Sequence, residues 1–209
     1  MMIKGYNEVY LDDVMEEFAV MFDYAVNNQH MDIDTFGALF LDSPVCHGIE
    51  IGNPYYINKG GSELVMLVLE SHHLEADYIT YDTGFGKTPE YWMGWITAYV
   101  QWKSGFKFST IFSAIAPSDI FALYYPLHEA DVKKGYDVLM ERVEKAPTNL
   151  YKLRKKSEIT QKQLAQYAEV KERTIRAYEQ RETEINKAQV NIVRALSLVL
   201  GCSIEDLLE

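Results

Sequence analysis

The run Asp82-Thr83-Gly84-Phe85-Gly86-Lys87-Thr88 ends in the glycine, lysine and threonine of a phosphate-binding loop. That loop needs a glycine five residues before its last glycine, where Tyr81 stands, and its final residues must open straight into a helix, where Pro89 follows. The run reads as a loop entering a capped helix. Cys46-His47 and His72-His73 are adjacent pairs, and adjacent side chains point in different directions on a helix or strand, so neither makes a two-ligand clamp. His30 and His128 are scattered. There is no nucleophile elbow, zinc-protease helix or paired-cysteine motif. The sequence therefore predicts no catalytic residue, no metal, no cofactor and no enzyme. Recognition chemistry is better supplied. Lys171, Glu172, Arg173 and Arg176 fall on the side of a helical segment opposite Ile175 and Tyr178. Arginine and lysine suit guanine edges or phosphates, and a helix fits the major groove of duplex DNA.

The charge distribution says where such a contact can occur. The 209 residues carry a net charge of -11, but residues 1–150 hold 9 basic and 22 acidic side chains while residues 151–209 hold 11 and 9. Within residues 151–181 the count is nine basic to four acidic. Phosphate repels the acidic body, so only the C-terminal part can approach DNA. The exposed-looking acids Asp12, Asp13, Glu16 and Glu17 suit a solvated helix face or a basic partner.

Hydrophobic residues at 48% and charged residues at 24% are ordinary for a globular protein, and no apolar run nears the roughly 20 residues that span a bilayer. Met1-Met2-Ile3-Lys4-Gly5-Tyr6 lacks a targeting h-region, and Cys46 and Cys202 read as free thiols. Both point to a cytoplasmic protein with no membrane partner.

The elements that must position the recognition residues are helical. Tyr10, Val14, Phe18, Met21, Phe22 and Ala25 recur at helical spacing, and a second helix spans about 32–41. Gly52-Asn53-Pro54 and Gly60-Gly61-Ser62 punctuate a loop before a helix through Glu70. Thr88-Pro89-Glu90 opens a helix carrying Trp92, Trp95, Tyr99 and Trp102, an aromatic stripe expected to be core, and a last helix covers about 129–143. Only Ala76 to Tyr81 looks like a strand. The change of composition at Lys145-Ala146-Pro147-Thr148-Asn149 places a domain boundary there, giving an acidic helical domain over 1–145 and a second domain over 146–209. In the latter, Leu150–Lys156 is a basic helix, and Thr160 with Gln163 forms a capping box for a helix to Ala168. A tight link at Glu169-Val170 leads to the segment 171–180, a fourth helix starts at Asn186 or Lys187 and stops at Gly201, and Ser203 caps a fifth. Leu153, Leu164, Val170, Ile175, Leu196, Ile204 and Leu207 supply its core.

Ile159-Thr160-Gln161-Lys162-Gln163-Leu164-Ala165, Val170, Thr174-Ile175, Tyr178-Glu179 and Leu196…Leu200-Gly201-Cys202-Ser203-Ile204-Glu205-Asp206-Leu207-Leu208 resemble the Cro/C1-type helix-turn-helix family of phage repressors over about 148–209. The resemblance implies an all-α, five-helix, lambda-repressor-like DNA-binding domain whose second helix lies over phosphates and whose third reads bases. It further implies that Gln161, at the start of helix two, bonds a phosphate, with Lys162 beside it as a DNA contact. Lys171, Glu172, Arg173, Arg176 and Ala177 take the reading positions, with Arg181 and Lys187 at backbone contacts. Glu169 and Arg181 stand where the family has glycine. Parts of residues 8–145 loosely resemble uncharacterised bacterial regulators of toxin–antitoxin-like operons. The expectation is a repressor that acts as or like an antitoxin, binding a double-stranded operator as a homodimer, with a toxin protein held by its N-terminal domain. The alternative is a ligand-gated repressor whose N-terminal domain binds a small molecule.

Overall fold

The computed structural model describes residues 4–81 and 87–209. Residues 1–3, read above for targeting, and 82–86, most of the phosphate-loop-like run, lie outside the described residues. The chain forms two compact units, the first ending at Val143 and the second spanning Glu144–Glu209. Among the described residues there is no strand, and the fold is all-α, as the sequence predicts.

The first unit is built on α1 (Leu11–Asp23), which a π-helical turn over Tyr24–Asn28 extends. Then come α2 (Ile33–Leu41), α3 (Pro44–Glu50), α4 (Pro54–Ile57), α5 (Gly61–Ser71), α6 (Pro89–Ser104), α7 (Phe108–Ala114), α8 (Pro117–Phe121), α9 (Tyr124–Leu127) and α10 (Val132–Lys145). Helix starts follow their caps. Asp32 accepts from the Thr35 amide and Thr88 from the Tyr91 amide, and prolines 44, 54, 89 and 117 occupy first turns, where a missing N–H costs nothing. The 3.6-residue pattern of α1 becomes a core of Phe18, Phe22, Phe36, Phe40 and Phe108, with Phe18 stacked on Phe108 at 4.8 Å. Helices α1 and α6 cross closely at Gly94, where a Cβ would lie 2.8 Å from the Ala19 Cα and the Phe18 carbonyl oxygen.

The strand-like run 76–81 forms no strand, in keeping with the all-α reading. With no neighbour to pair with, its backbone takes side-chain partners: the Ile79 amide donates to the Tyr24 hydroxyl at 2.9 Å and Gln29 to the Asp77 carbonyl at 2.8 Å. Tyr81 also donates to buried Asp23 at 2.7 Å. The stretch read as loop punctuation at Asn53-Pro54 instead opens α4. The aromatic stripe of α6 is only partly core: Trp92 is buried, whereas Trp95 and Trp102 are half-buried.

The second unit contains α11 (Asn149–Lys156), α12 (Gln161–Tyr167), α13 (Glu172–Glu179), α14 (Val190–Leu200) and α15 (Ile204–Leu207). Leu150, Leu164, Ile175, Tyr178, Leu196 and Leu207 are buried together; Leu153, Val170 and Ile204 pack half-buried at the margin. The capping boxes at Thr160–Gln163 and Ser203–Asp206 are both formed, and Gly201 ends α14 at φ 65°. The fourth helix begins at Val190 rather than 186–187, because Ile185–Lys187 forms a 3-10 turn followed by extended Ala188 and Gln189.

Glu169 and Arg181, standing where the resemblance puts glycine, hold left-handed φ of 54° and 53°. A side chain in that region costs about 1 kcal/mol against glycine. Glu169 is exposed and its side chain makes no hydrogen bond among the described residues, so Glu169→Gly should raise the stability of this unit by about 0.5–1 kcal/mol, read from its urea midpoint.

Candidate nucleic-acid interface

Helix α12 is fixed at its start by the capping box and at its end by closure of the chain, the Val170 amide donating to the Ala165 carbonyl at 3.0 Å. The left-handed Glu169 turns the chain into α13 within four residues. Lys171, in extended conformation, accepts the Thr174 amide on its carbonyl and so starts α13. Ile175 is fully buried and Tyr178 nearly so, which fixes the rotation of the helix about its axis. Lys171, Glu172, Arg173 and Arg176 are consequently exposed, with Ala177 half-buried beside them. Arg176 lies 3.7 Å from Glu172, both side chains being about half exposed (57% and 43%), a contact too weak and solvated to hold the arginine from another partner.

Beneath this face lies an ion pair that the charge pattern did not disclose. Glu179 accepts from Arg154 Nε at 2.6 Å and from a terminal nitrogen at 2.8 Å, with side-chain exposures of 6% and 3%. The second Arg154 nitrogen donates to the Ile159 carbonyl at 2.9 Å. Hydrogen bonding to Glu179 raises the guanidinium pKa above its already high value. The pair ties α11 to the end of α13 and the entry of α12.

The remaining expected contacts are placed unequally. Lys162 is exposed on the first turn of α12. Gln161 is half-buried, and its amide donates to Glu179 at 2.7 Å. Lys187 is exposed and pairs with exposed Glu184. Arg181 departs most from expectation: its guanidinium turns inward to Glu209 at 2.6 Å and donates to the carbonyls of Ala146 at 2.5 Å and Glu144 at 3.1 Å. Glu209, 5% exposed, also accepts the first amide of α11, from Asn149 at 2.7 Å, while Asn186 and the Glu209 backbone bond each other in both directions. Arg181, at a left-handed φ of 53°, thus joins a cluster that the sequence pattern did not reveal.

Two amphipathic helices joined by a tight turn, the second anchored by two buried residues and presenting cations, are the geometry of a groove reader. Residues 150–207 match the helix-turn-helix family model. This unit is the DNA-binding domain of a transcription regulator. No curated protein and no solved structure matches the chain. The helix-turn-helix match lies within the second unit, and the looser resemblance of residues 8–145 rests on sequence alone.

In the first unit, Cys46 is buried; burial and then the charge of Glu50 push its thiol pKa up, away from reactivity. His72 bonds the Leu39 carbonyl at 2.9 Å. Among the described residues no three His, Cys, Asp or Glu side chains converge as a metal site, and no helix is long and apolar enough to cross a membrane.

Proposed function

We propose that the protein is a sequence-specific repressor that places α13 in the major groove of an operator, with Arg173 and Arg176 reading base edges and Lys162, Lys171 and Lys187 meeting phosphates. The observation that carries this is the exposed cationic face of α13 above buried Ile175 and Tyr178. Arg181 is better read as a structural clasp than as a phosphate contact, and Gln161 as a residue held by Glu179. A homodimer on two half-sites follows from the geometry of such domains. Val190 and Leu198, 74% and 72% exposed on α14, offer an apolar surface for the second copy. The acidic first unit, with Asp12, Asp13 and Glu16 exposed along α1, suits a basic partner, which in an antitoxin is the toxin. Glu17 belongs instead to the fold, accepting the Gly61 amide at 2.6 Å.

Selection of bound fragments from random duplex DNA tests the reading. The recovered sites should carry paired half-sites about one helical turn apart. Affinity for them should fall with a log–log salt slope steeper than about -4, as several phosphates exchange counterions for lysine and arginine. Failure to enrich any sequence, or salt-independent binding, contradicts the proposal.

A second reading, a ligand-gated repressor, is favoured by one observation. The first unit contains a partly open cavity of about 230 Å³ walled by Trp92 and Trp95. Tyr99, farther along the same helix, lies outside its lining and meets Tyr136 edge-on.

A further inference from the structure

We propose that this cavity is a binding site for a small planar aromatic carboxylate, with the ring between Trp92, Trp95 and Tyr124 and the carboxylate on Lys87. The inference names the ligand class for the ligand-gated reading and rests on that reading for its regulatory consequence.

The volume sets the size of the occupant. A cavity of about 150 Å³ takes one benzene ring, so about 230 Å³ accommodates one ring or two fused rings. The walls set its shape. Trp92 and Trp95 come from the first turns of α6, and Tyr124, at the start of α9, meets Trp92 edge-on with centroids 6.0 Å apart. Aromatic faces and edges arranged in this way favour a flat π-system.

The polar groups set its charge. Besides the tyrosines Tyr91 and Tyr124, the polar side chains that line the cavity are Lys87, His128 and Asp131. The Asp131 carboxylate accepts the Lys133 amide at 2.8 Å at the start of α10. The His128 ring is stacked on Tyr124 with centroids 4.3 Å apart, and its Nδ1 bonds the Tyr124 carbonyl at 3.0 Å. Lys87 Nζ sits 4.7 Å from the centroid of Tyr91, and no carboxylate among the described residues pairs with it. Exposed Lys87 is the one fixed cation in the lining, and the lining carboxylate, Asp131, is engaged at the start of α10, so an anionic group on a ligand has its partner in Lys87.

Calorimetric titration of the full-length protein with indole-3-carboxylate, indole and tryptamine separates the alternatives. The carboxylate should bind saturably and about tenfold more tightly than indole, with tryptamine weakest, the scale of one charge-assisted contact. Lys87→Met should erase the carboxylate's advantage and leave indole binding unchanged, whereas Trp95→Ala should weaken both. The circular dichroism of each variant confirms that it is folded. Tryptamine binding best, an unaltered preference in Lys87→Met, or no saturable binding by any of the three overturns the inference. The same titrations run with a selected operator keep the two proposals apart. Binding of the carboxylate without a change in operator affinity supports the site and rejects the ligand-gated reading. A gating response to indole or tryptamine alone supports the reading and rejects the carboxylate.

Discussion

Replacing Arg173 and Arg176 together with alanine should lower affinity for the selected operator by about two orders of magnitude or more, each bidentate arginine–guanine contact being worth about 1–3 kcal/mol of discrimination. Binding to unrelated DNA should change far less, because the phosphate contacts of the lysines remain. Both side chains are exposed on α13, and among the described residues the ion pair lost is the exposed one between Arg176 and Glu172. The thermal midpoint should therefore stay within a few degrees of the parent, since an exposed pair contributes about 0–1 kcal/mol. The specificity ratio, measured as operator over random-sequence affinity, is the quantity to follow. An unchanged ratio in a folded double variant would remove α13 from the recognition surface.

The opposite pattern is expected one layer down. Arg154→Met leaves the buried Glu179 carboxylate, 3% exposed in the parent, with Gln161 as its remaining side-chain donor among the described residues. Removing one partner of a buried pair costs about 3–5 kcal/mol, most of it the penalty of an uncompensated charge. That is a large share of the stability of a unit this small, so its urea midpoint should drop steeply or the unit should unfold. Arg154→Met with Glu179→Met should recover much of the loss, because an apolar pair of similar volume avoids the desolvation cost. Operator binding should follow the folded fraction in both variants. If the single variant loses binding while its unfolding curve is unchanged, Arg154 is a DNA contact and the account of the pair is wrong.

The two arginine sets also show what could be read from sequence. Periodicity separates them in part: Arg173 and Arg176 lie opposite Ile175 and Tyr178 on α13, and the structure exposes both. Arg154 belongs to the basic run of α11, yet it follows Leu150 by four residues and shares the inward side of that helix. Charge counting hid this; its position relative to Leu150 was the available signal. Arg181 gave less warning. Its left-handed backbone was legible from the glycine expected there, but its partners Glu209, Glu144 and Ala146 are 28 to 37 residues away, and no local pattern encodes such a contact.

In the first unit the long amphipathic helices and the capped start at Thr88 could be read, because caps and 3.6-residue spacing are local physics. The short helices α3, α4 and α7 to α9 escaped notice. Segments of four to seven residues show too little periodicity, and prolines that open a helix look the same in sequence as prolines that end one. The extended run 74–81 carries strand-like residues, but its partners are the hydroxyl of Tyr24 and the amide of Gln29 rather than another strand. The aromatic residues of α6 pointed to a cavity lined by Trp92, Trp95 and Tyr99 under the ligand-gated alternative; the first two line it and Tyr99 does not. The cavity's other wall comes from α9, which the sequence did not reveal.

The central claim, that α13 lies in the major groove, is met most directly by methylation of guanine N7, which projects into that groove alone. Operator fragments premethylated at guanines within each half-site should be excluded from the complex formed by the parent protein, and the double variant Arg173→Ala, Arg176→Ala should no longer discriminate against them. If methylated and unmethylated operators bind the parent equally well, α13 is not reading guanine in the major groove and the assignment fails.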